Sequence, residues 1–129
     1  MNGRPSGTQA DGEGMPPRIE SCRFGLVIID GKRYTRDVLV FPDRVMSDWW
    51  REEGHALAVA DLRALLDRPP QVLVVGLGHV SRMRILPETS EWLHRLGVEL
   101  ISASAPHACE AYNRLRLEKR TAAALHLTC

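Results

Sequence analysis

The sequence predicts an α/β fold, and two observations lead to this prediction. The first is an apolar run at residues 72–75, VLVV, which follows Pro69 and Pro70 and is stopped by Gly76. A continuous apolar run between such breakers is typical of a strand buried on both faces of a parallel or mixed sheet. The second is the succession of strand, helix and short strand up to residue 102, which indicates a β-α-β unit with parallel strands.

Composition excludes several classes of function. The 129 residues correspond to one small domain, and their formal net charge of +1 provides no overall attraction for nucleic acid or an anionic membrane. Aromatic residues are sparse, and no basic stripe interleaved with them offers a stacking surface for single strands. No apolar run approaches the ~20 residues of a membrane-spanning helix. We therefore expect neither a nucleic-acid nor a membrane partner.

The first eighteen residues predict a disordered tail, so that the folded domain would comprise residues 19–129. They are rich in Gly, Pro, Ser and Asp and contain no apolar centre, unlike a secretory signal. Asp11 and Glu13 argue against an organellar transit peptide, which is usually poor in acidic residues. The three cysteine residues are too few and too scattered for a disulfide framework, and none has zinc-ligand spacing. A reducing, cytoplasmic location fits this usage best.

The N-terminal part of the domain predicts a hairpin. Residues 24–29, FGLVII, form the first strand, and Asp30-Gly31 is a dipeptide that tolerates the positive φ angles of a two-residue turn. Residues 32–41 are the predicted returning strand, ended by Pro42. Arg36 and Asp37 interrupt it with opposite charges, which we interpret as a local surface ion pair.

Two adjacent tryptophans lie in the connection that follows, residues 43–55. Neighbouring side chains face different directions in most backbone conformations, so one of the two can enter the core while the other lies at the surface. Two interpretations stay open: Trp49 and Trp50 both cover the end of the sheet, or an exposed one anchors a partner.

The later elements follow from periodicity and from helix signals. A short amphipathic helix is predicted over residues 59–67, where Val59, Leu62, Leu65 and Leu66 recur at helical spacing. After an extended stretch at residues 82–86, a helix begins at Pro87 and stops at Gly97. The remaining predicted elements are a strand at 98–102, a helix at 106–117 that Ser104 can cap, and a segment at 122–128 that propensity leaves open between helix and strand.

Several stretches together resemble the Mth938-domain family, a domain of unknown function: TRDVLVFPDRV, WWREEGH, LVVGLGHVSRM, LPETSEWLHRLGVELI, AYNRL and AAALHLTC. The resemblance covers residues 21–129. It implies a three-layer fold with a mixed central sheet between helical layers, and a last strand, 122–128, antiparallel to most others. Members of this family include an adipogenesis-associated protein and a mitochondrial assembly factor of respiratory complex I, and neither association defines an enzyme.

The best candidate site is the turn after the central strand, because open α/β sheets place ligands at the carboxyl ends of strands. The turn lacks the third glycine and the following helix of a dinucleotide site, and it lacks the Gly-Lys-Ser/Thr ending of a phosphate loop. Its backbone N–H groups could instead form a concave nest for a small anion, with charge from Arg82 or Arg84. The alternative is that the glycines only form a tight link. The predicted ligand-binding residues are Gly76, Leu77, Gly78, His79, Ser81 and Arg82.

No complete catalytic set is recognisable in the sequence. The five histidines show no i, i+4 helical pair and no carboxylate at metal-ligand spacing, so we predict no metal site. His126 in a strand is interpreted as a hydrogen-bonded structural histidine. We predict no catalytic residues and no cofactor, and hence a non-enzymatic binding or assembly module for an unknown protein or a small anion. An enzyme of undefined reaction at Gly76–Ser81 is the alternative.

Overall fold

The computed structural model describes residues 15–65 and 67–129. The first fourteen residues of the predicted tail, and Leu66 of the predicted amphipathic helix, lie outside these ranges. A 3₁₀ helix occupies Val59–Leu65. The other elements in these ranges are β1 (Ile19–Arg23), β2 (Leu26–Ile29), β3 (Lys32–Tyr34), β4 (Val38–Val40), β5 (Val45–Met46), β6 (Ala56–Leu57), β7 (Val72–Leu77), β8 (Arg84–Ile85), α1 (Pro87–Arg95), β9 (Glu99–Ala103), α2 (Ala105–Leu115) and β10 (Thr121–His126).

A five-stranded mixed sheet forms the centre, in the order β5-β4-β10-β7-β9. The predicted buried run is β7, which lies between β10 and β9 and pairs in parallel with both. Val74 lies in register with Ala123 on one side and Ile101 on the other. All residues from Val72 to Gly76 are buried. The predicted α/β fold with a mixed central sheet is therefore confirmed.

The direction of the last strand differs from the expectation. β10 was expected to run antiparallel to most other strands, but it is parallel to β7 and antiparallel to β4. β5 is in turn antiparallel to β4, so β4 is the strand that opposes the others in the sheet as described. The reason is topological: α2 connects β9 to β10, and a helical crossover returns the chain to the same end of the sheet as a parallel strand.

Alternation along the central strands divides the core into two clusters, one on each face of the sheet. Val72 and Val74 face the layer formed by α2 and the small β1-β2-β3 sheet. Leu73 and Val75 face the layer formed by α1 and the 3₁₀ helix. The two helices lie on opposite faces, as expected when successive right-handed crossovers move along the sheet in opposite directions. These are the three layers that the resemblance implies.

Several predicted strand bounds differ from those in the structure, because a strand extends only as far as its hydrogen-bonded partner strands do. The predicted strand 24–29 begins only at Leu26, since residues 24–25 turn the chain back from β1, which the sequence analysis missed. The predicted returning strand 32–41 is two strands in different sheets, β3 and β4. The Asp30-Gly31 hairpin is confirmed, with φ of 50° and 80°. Ser104 is at the N-cap position of α2 but makes no side-chain capping bond.

Neither α-helix within the described ranges is long and apolar enough to cross a membrane.

Candidate functional site

The predicted site lies where β7 and β10 end side by side. Gly76 is inside β7, where a Cβ would lie 3.1 Å from Leu125 Cδ2 and 3.4 Å from Ala108 Cβ. The chain turns only at Gly78, whose φ is +99°. We call residues 78–82 the glycine loop. The sequence therefore predicted the position of the turn to within two residues, but Gly76 serves close packing and not the turn.

The N–H groups of the glycine loop already have acceptors in the protein. His79 N–H donates to the Thr128 carbonyl oxygen at 2.7 Å. Val80 and Arg82 N–H both donate to the oxygen of Cys129, at 3.2 and 3.0 Å. We call residues 127–129 the terminal segment. These three N–H groups, which the anion hypothesis assigns to a ligand, therefore donate to the terminal segment instead.

The terminal segment lies so close to the loop that only glycine fits at position 78. A Cβ on Gly78 would overlap the carbonyl carbon of Cys129 and lie 2.6 Å from its oxygen. The same atom would lie 2.9 Å from His126 Cδ2. On the opposite side, Gly25 N–H donates to the Leu127 carbonyl oxygen at 2.9 Å. The terminal segment is thus held between the β1-β2 turn and the glycine loop.

The remaining predicted site residues lie on the surface of this assembly. Ser81, at φ 56°, and Arg82 are exposed, and Leu77 is half-buried. The His79 ring packs against the Phe24 ring with centroids 5.7 Å apart, and its buried Nε2 has no hydrogen-bond partner among the described residues. Three cavities of about 200–220 Å³ each lie next to Cys22 and Cys109, next to Tyr34 and Asp48, and next to Phe41 and Arg120. None of the three is lined by a predicted site residue.

Beside the glycine loop, a buried charged cluster joins Asp37, Arg51 and His126. Asp37 Oδ2 lies 2.8 Å from His126 Nδ1 and 2.9 Å from Arg51 Nη1. Asp37 Oδ1 accepts the Leu127 N–H at 2.8 Å, so the cluster also fixes the start of the terminal segment. Arg51 is 7% exposed, lies over the Trp49 ring and donates from Nη2 to the Gly54 carbonyl oxygen.

The neighbours of Asp37 keep its carboxyl group ionised. Burial alone would raise the pKa of the Asp37 carboxyl group, because the charged form loses its hydration. Hydrogen bonds from His126 and the Leu127 amide, together with the Arg51 cation, outweigh that effect and hold the pKa below its ordinary value. Asp37 is therefore an anion whose main role in the described structure is to anchor an arginine, a histidine and the terminal segment.

The tautomer of His126 follows from its neighbours. Its Nδ1 is close to both Asp37 Oδ2 at 2.8 Å and Arg51 Nη2 at 3.1 Å. In the neutral ring, the shorter contact, to a carboxylate, favours the tautomer with the proton on Nδ1 and the lone pair on Nε2. Nε2 is buried and has no partner among the described residues, and the His55 ring stands edge-on with its centroid 5.7 Å away. An oriented imidazole of this kind can accept a proton, but no nucleophile among the described residues is hydrogen-bonded to its Nε2.

Sequence analysis missed this cluster for a clear reason. It paired Asp37 with its neighbour Arg36, and that prediction is wrong: Arg36 pairs with Asp48 at 3.8 Å on the surface. His126 is hydrogen-bonded, as its structural interpretation requires. A polar residue interrupting an otherwise apolar stretch was the available signal, but its partners lie 14 and 89 residues along the chain. Among residues 15–65 and 67–129, no three His, Cys, Asp or Glu side chains are placed to hold a metal ion.

Large apolar side chains rim the same end of the sheet. Phe24 is 65% exposed and Val80 is 70% exposed, on the two turns that hold the terminal segment. Trp50 is 75% exposed, whereas Trp49 is 5% exposed and donates from Nε1 to the Asp61 carbonyl oxygen. The interpretation in which both tryptophans cover the end of the sheet is therefore wrong, and a partner anchored by the exposed Trp50 stays a prediction.

Comparison with known proteins shows which family model and which solved structures this chain is similar to. A family model described as a protein of unknown function (DUF498/DUF598) matches residues 19–126. Among solved structures, the chain is similar to the conserved hypothetical protein PH1505 from Pyrococcus horikoshii, with 30% identity, a TM-score of 0.76, and coverage of 87% of this chain and 99% of that one.

Two further structures from bacteria are similar. The Rpa2829 protein from Rhodopseudomonas palustris is 26% identical with a TM-score of 0.69, covering 88% of this chain and 87% of that one. A Bordetella pertussis protein described as a Mth938-like domain is 21% identical with a TM-score of 0.68, covering 98% of this chain and 91% of that one. The second likeness bears on the fold alone.

Proposed function

Since the chain belongs to the DUF498/DUF598 family of proteins of unknown function, a Mth938-like family, we propose that it is a non-enzymatic binding module. The resemblance predicted from the sequence is confirmed at the level of family and fold. The proposed binding surface, here called the edge surface, consists of Phe24, Val80 and the charged side chains of Arg23 and Arg82 beside them. The observation that carries the proposal is the exposure of two large apolar side chains on firmly held turns.

Rigidity is what distinguishes these side chains from ordinary exposed apolar residues. Gly25, next to Phe24, donates its N–H to Leu127, and Val80 donates its own to Cys129. The Phe24 ring is further positioned by the His79 ring. A preorganised apolar side chain loses little conformational entropy on binding, so its burial contributes more fully to affinity.

The charges beside the apolar side chains indicate the kind of partner. Arg23 and Arg82 are both exposed, each within two residues of Phe24 or Val80. We infer a protein partner that presents an apolar side chain flanked by carboxylates, because such a segment would satisfy both components of the edge surface. Assembly of a larger complex is the finer form of this proposal. A cytoplasmic location remains part of it, supported by the unpaired state of Cys22, Cys109 and Cys129.

The proposal is tested by removing the apolar side chains together in Phe24→Ser/Val80→Ser. The matched control is Leu117→Ser, which removes a side chain of similar exposure, 62%, from the turn after α2. Tagged proteins are recovered from their own cells after cross-linking, and retained proteins are quantified by mass spectrometry. We expect wild type and control to retain a partner with an acidic, apolar segment and the double variant to lose it. The purified segment of that partner should likewise bind to wild type and control and not to the double variant.

Equal recovery by all three proteins would contradict the proposed surface. Light scattering of the purified proteins covers another outcome, a second copy as the occupant. A dimer present in wild type and control but absent in the double variant would replace the heterologous partner with a copy of this chain.

A second candidate is an enzyme that binds a small anion at Gly76–Ser81. The observation that favours it is the pair of buried imidazole Nε2 atoms, on His79 and His126, without hydrogen-bond partners among the described residues. Imidazole is suited to proton transfer near neutral pH. For an anion to use the loop's N–H groups, it would have to displace the oxygens of Thr128 and Cys129, and for that reason we place this candidate second.

Inorganic phosphate is the probe that tests the second candidate. The melting temperature is measured against phosphate concentration at constant ionic strength for wild type, Arg82→Gln and the matched control Arg63→Gln, an exposed arginine outside the proposed site. A saturable rise in wild type and control that is reduced in Arg82→Gln would support the site. Identical curves would indicate general salt stabilisation and remove it.

A further inference from the structure

The last turn of α2 and the residue that follows it hold the segment that leads into β1 by hydrogen bonds. Arg116 Nη1 and the Tyr112 hydroxyl donate to the carbonyl oxygens of Pro16 and Pro17, at 3.1 and 2.7 Å. Asn113 binds both backbone groups of Ile19: its Oδ1 accepts the N–H at 3.0 Å and its Nδ2 donates to the carbonyl oxygen at 2.7 Å. The strand therefore advances towards the N-terminal end of α2 in a defined register.

This register brings two cysteines together, Cys22 at the end of β1 and Cys109 in the second turn of α2. Both thiols line one cavity of about 200 Å³, together with Glu110 and Asn113. Cys109 is 4% exposed and belongs to the core, whereas Cys22 packs against that core and is only partly buried. The two residues are therefore neighbours at one cavity, and neither is in a disulfide.

We propose that Cys22 and Cys109 form a redox-active dithiol that a small hydroperoxide converts reversibly to a disulfide. In the first step the Cys22 sulfur attacks the peroxide O–O bond, which forms Cys22 sulfenic acid and releases water once the leaving oxygen takes up the thiol proton. In the second step the Cys109 sulfur attacks the sulfenic sulfur. An S–S bond forms, and the hydroxyl group leaves with the Cys109 proton as a second water. Two equivalents of a small thiol reverse the reaction by exchange and become its disulfide.

The environments of the two sulfurs differ in the way that this order requires. Interaction with the neighbouring Cys109 thiol lowers the pKa of the Cys22 thiol, although partial burial opposes the shift. The pKa of Cys109 is raised by interaction with the Cys22 thiol, and burial and the Glu110 carboxylate act in the same direction. The thiolate is the reactive form of cysteine, so the more accessible Cys22 is the attacking residue and the buried Cys109 is the resolving one.

Sequence spacing gave no indication of this pair, because the residues lie 87 positions apart and belong to elements joined only in the tertiary structure. The proposal is independent of the edge surface. A covalent link between β1 and α2 would add to the hydrogen bonds of Asn113 and Tyr112, so the oxidised protein should also unfold at a higher temperature.

The experiment treats the purified full chain with one equivalent of hydrogen peroxide and counts thiols by alkylation and intact mass under denaturing conditions. We expect the loss of two thiols and of two hydrogen atoms per chain, independent of protein concentration, with full recovery after dithiothreitol. Peptide mapping should identify a Cys22–Cys109 cross-link in wild type and equally in the control Cys129→Ser. Cys109→Ser should instead accumulate a dimedone-reactive sulfenic acid, and Cys22→Ser should retain both remaining thiols.

Mapping of the wild-type protein decides the outcome even if a variant folds poorly. Oxidation confined to Cys129, a cross-link between chains, or conversion of Cys22 to sulfinic acid without any Cys22–Cys109 peptide would each overturn the proposal.

Discussion

The contact between the glycine loop and the terminal segment leads to a quantitative prediction for Gly78→Ala. At φ +99° an alanine costs about 1–2 kcal/mol, because its Cβ crowds the neighbouring backbone. The new Cβ also overlaps Cys129, so the terminal segment must move away and release the three N–H groups of His79, Val80 and Arg82. At about 0.5–1.5 kcal/mol per hydrogen bond, the total loss of unfolding free energy is about 2.5–6.5 kcal/mol.

Gly97→Ala is the matched control for Gly78→Ala. Gly97 also has a positive φ, +77°, but a Cβ there meets no atom within 4 Å. We therefore expect this control to lose only the conformational part, about 1–2 kcal/mol. Urea denaturation followed by tryptophan fluorescence measures both values, and amide exchange reports on the loop directly. Equal destabilisation of the two variants, or unchanged protection of the His79, Val80 and Arg82 amides in Gly78→Ala, would refute the reasoning.

Three further predictions follow from burial and charge. Because the folded-state pKa of Asp37 lies below the unfolded value of about 3.9, its ionisation stabilises the fold above that pH, and this contribution is lost as pH falls through the folded-state pKa. Asp37→Asn should thus lower the melting temperature at pH 7 and flatten its fall below pH ~4; a decline as steep as that of wild type would contradict this. Val74→Asp places a carboxylate at a fully buried position and should cost several kcal/mol, so cooperative unfolding with near-normal stability would show that the burial is misjudged. Deleting residues 1–14 tests the predicted tail and should leave the melting temperature unchanged, whereas deleting residues 1–18 also removes the hydrogen-bonded carbonyl of Pro17 and should lower it.

Local sequence signals determined the elements that carry their own pattern. The apolar run at 72–75 specifies β7 because the flanking prolines and glycine leave it too short for a helix, and a strand covered on both faces buries four successive aliphatic side chains. Pro87 and Gly97 bound α1 because each residue suits one end of a helix and not the other. The Asp30-Gly31 turn follows in the same way from backbone sterics alone. In these cases the cause lies within a few residues of the effect.

Tertiary structure alone decided the partners of residues far apart in the chain. The direction of β10 depends on the crossover through α2, and its residues 121–126 carry no local signal for that direction. The buried charge of Asp37 is stable only because Arg51 and His126 reach it from other elements, so sequence neighbours suggested the wrong partner, Arg36.

The candidate site shows most clearly the difference between what the local sequence determines and what the tertiary structure decides. The sequence by itself determined that a glycine turn follows the central strand, since few other residues adopt the required φ. It did not determine what occupies that turn, because the acceptors of the loop's N–H groups belong to residues 128 and 129, about fifty positions away. The approach of Cys22 to Cys109 is likewise set by the packing of β1 on α2. A local pattern specifies backbone conformation, whereas the chemistry of a site depends on which distant groups the fold brings into contact.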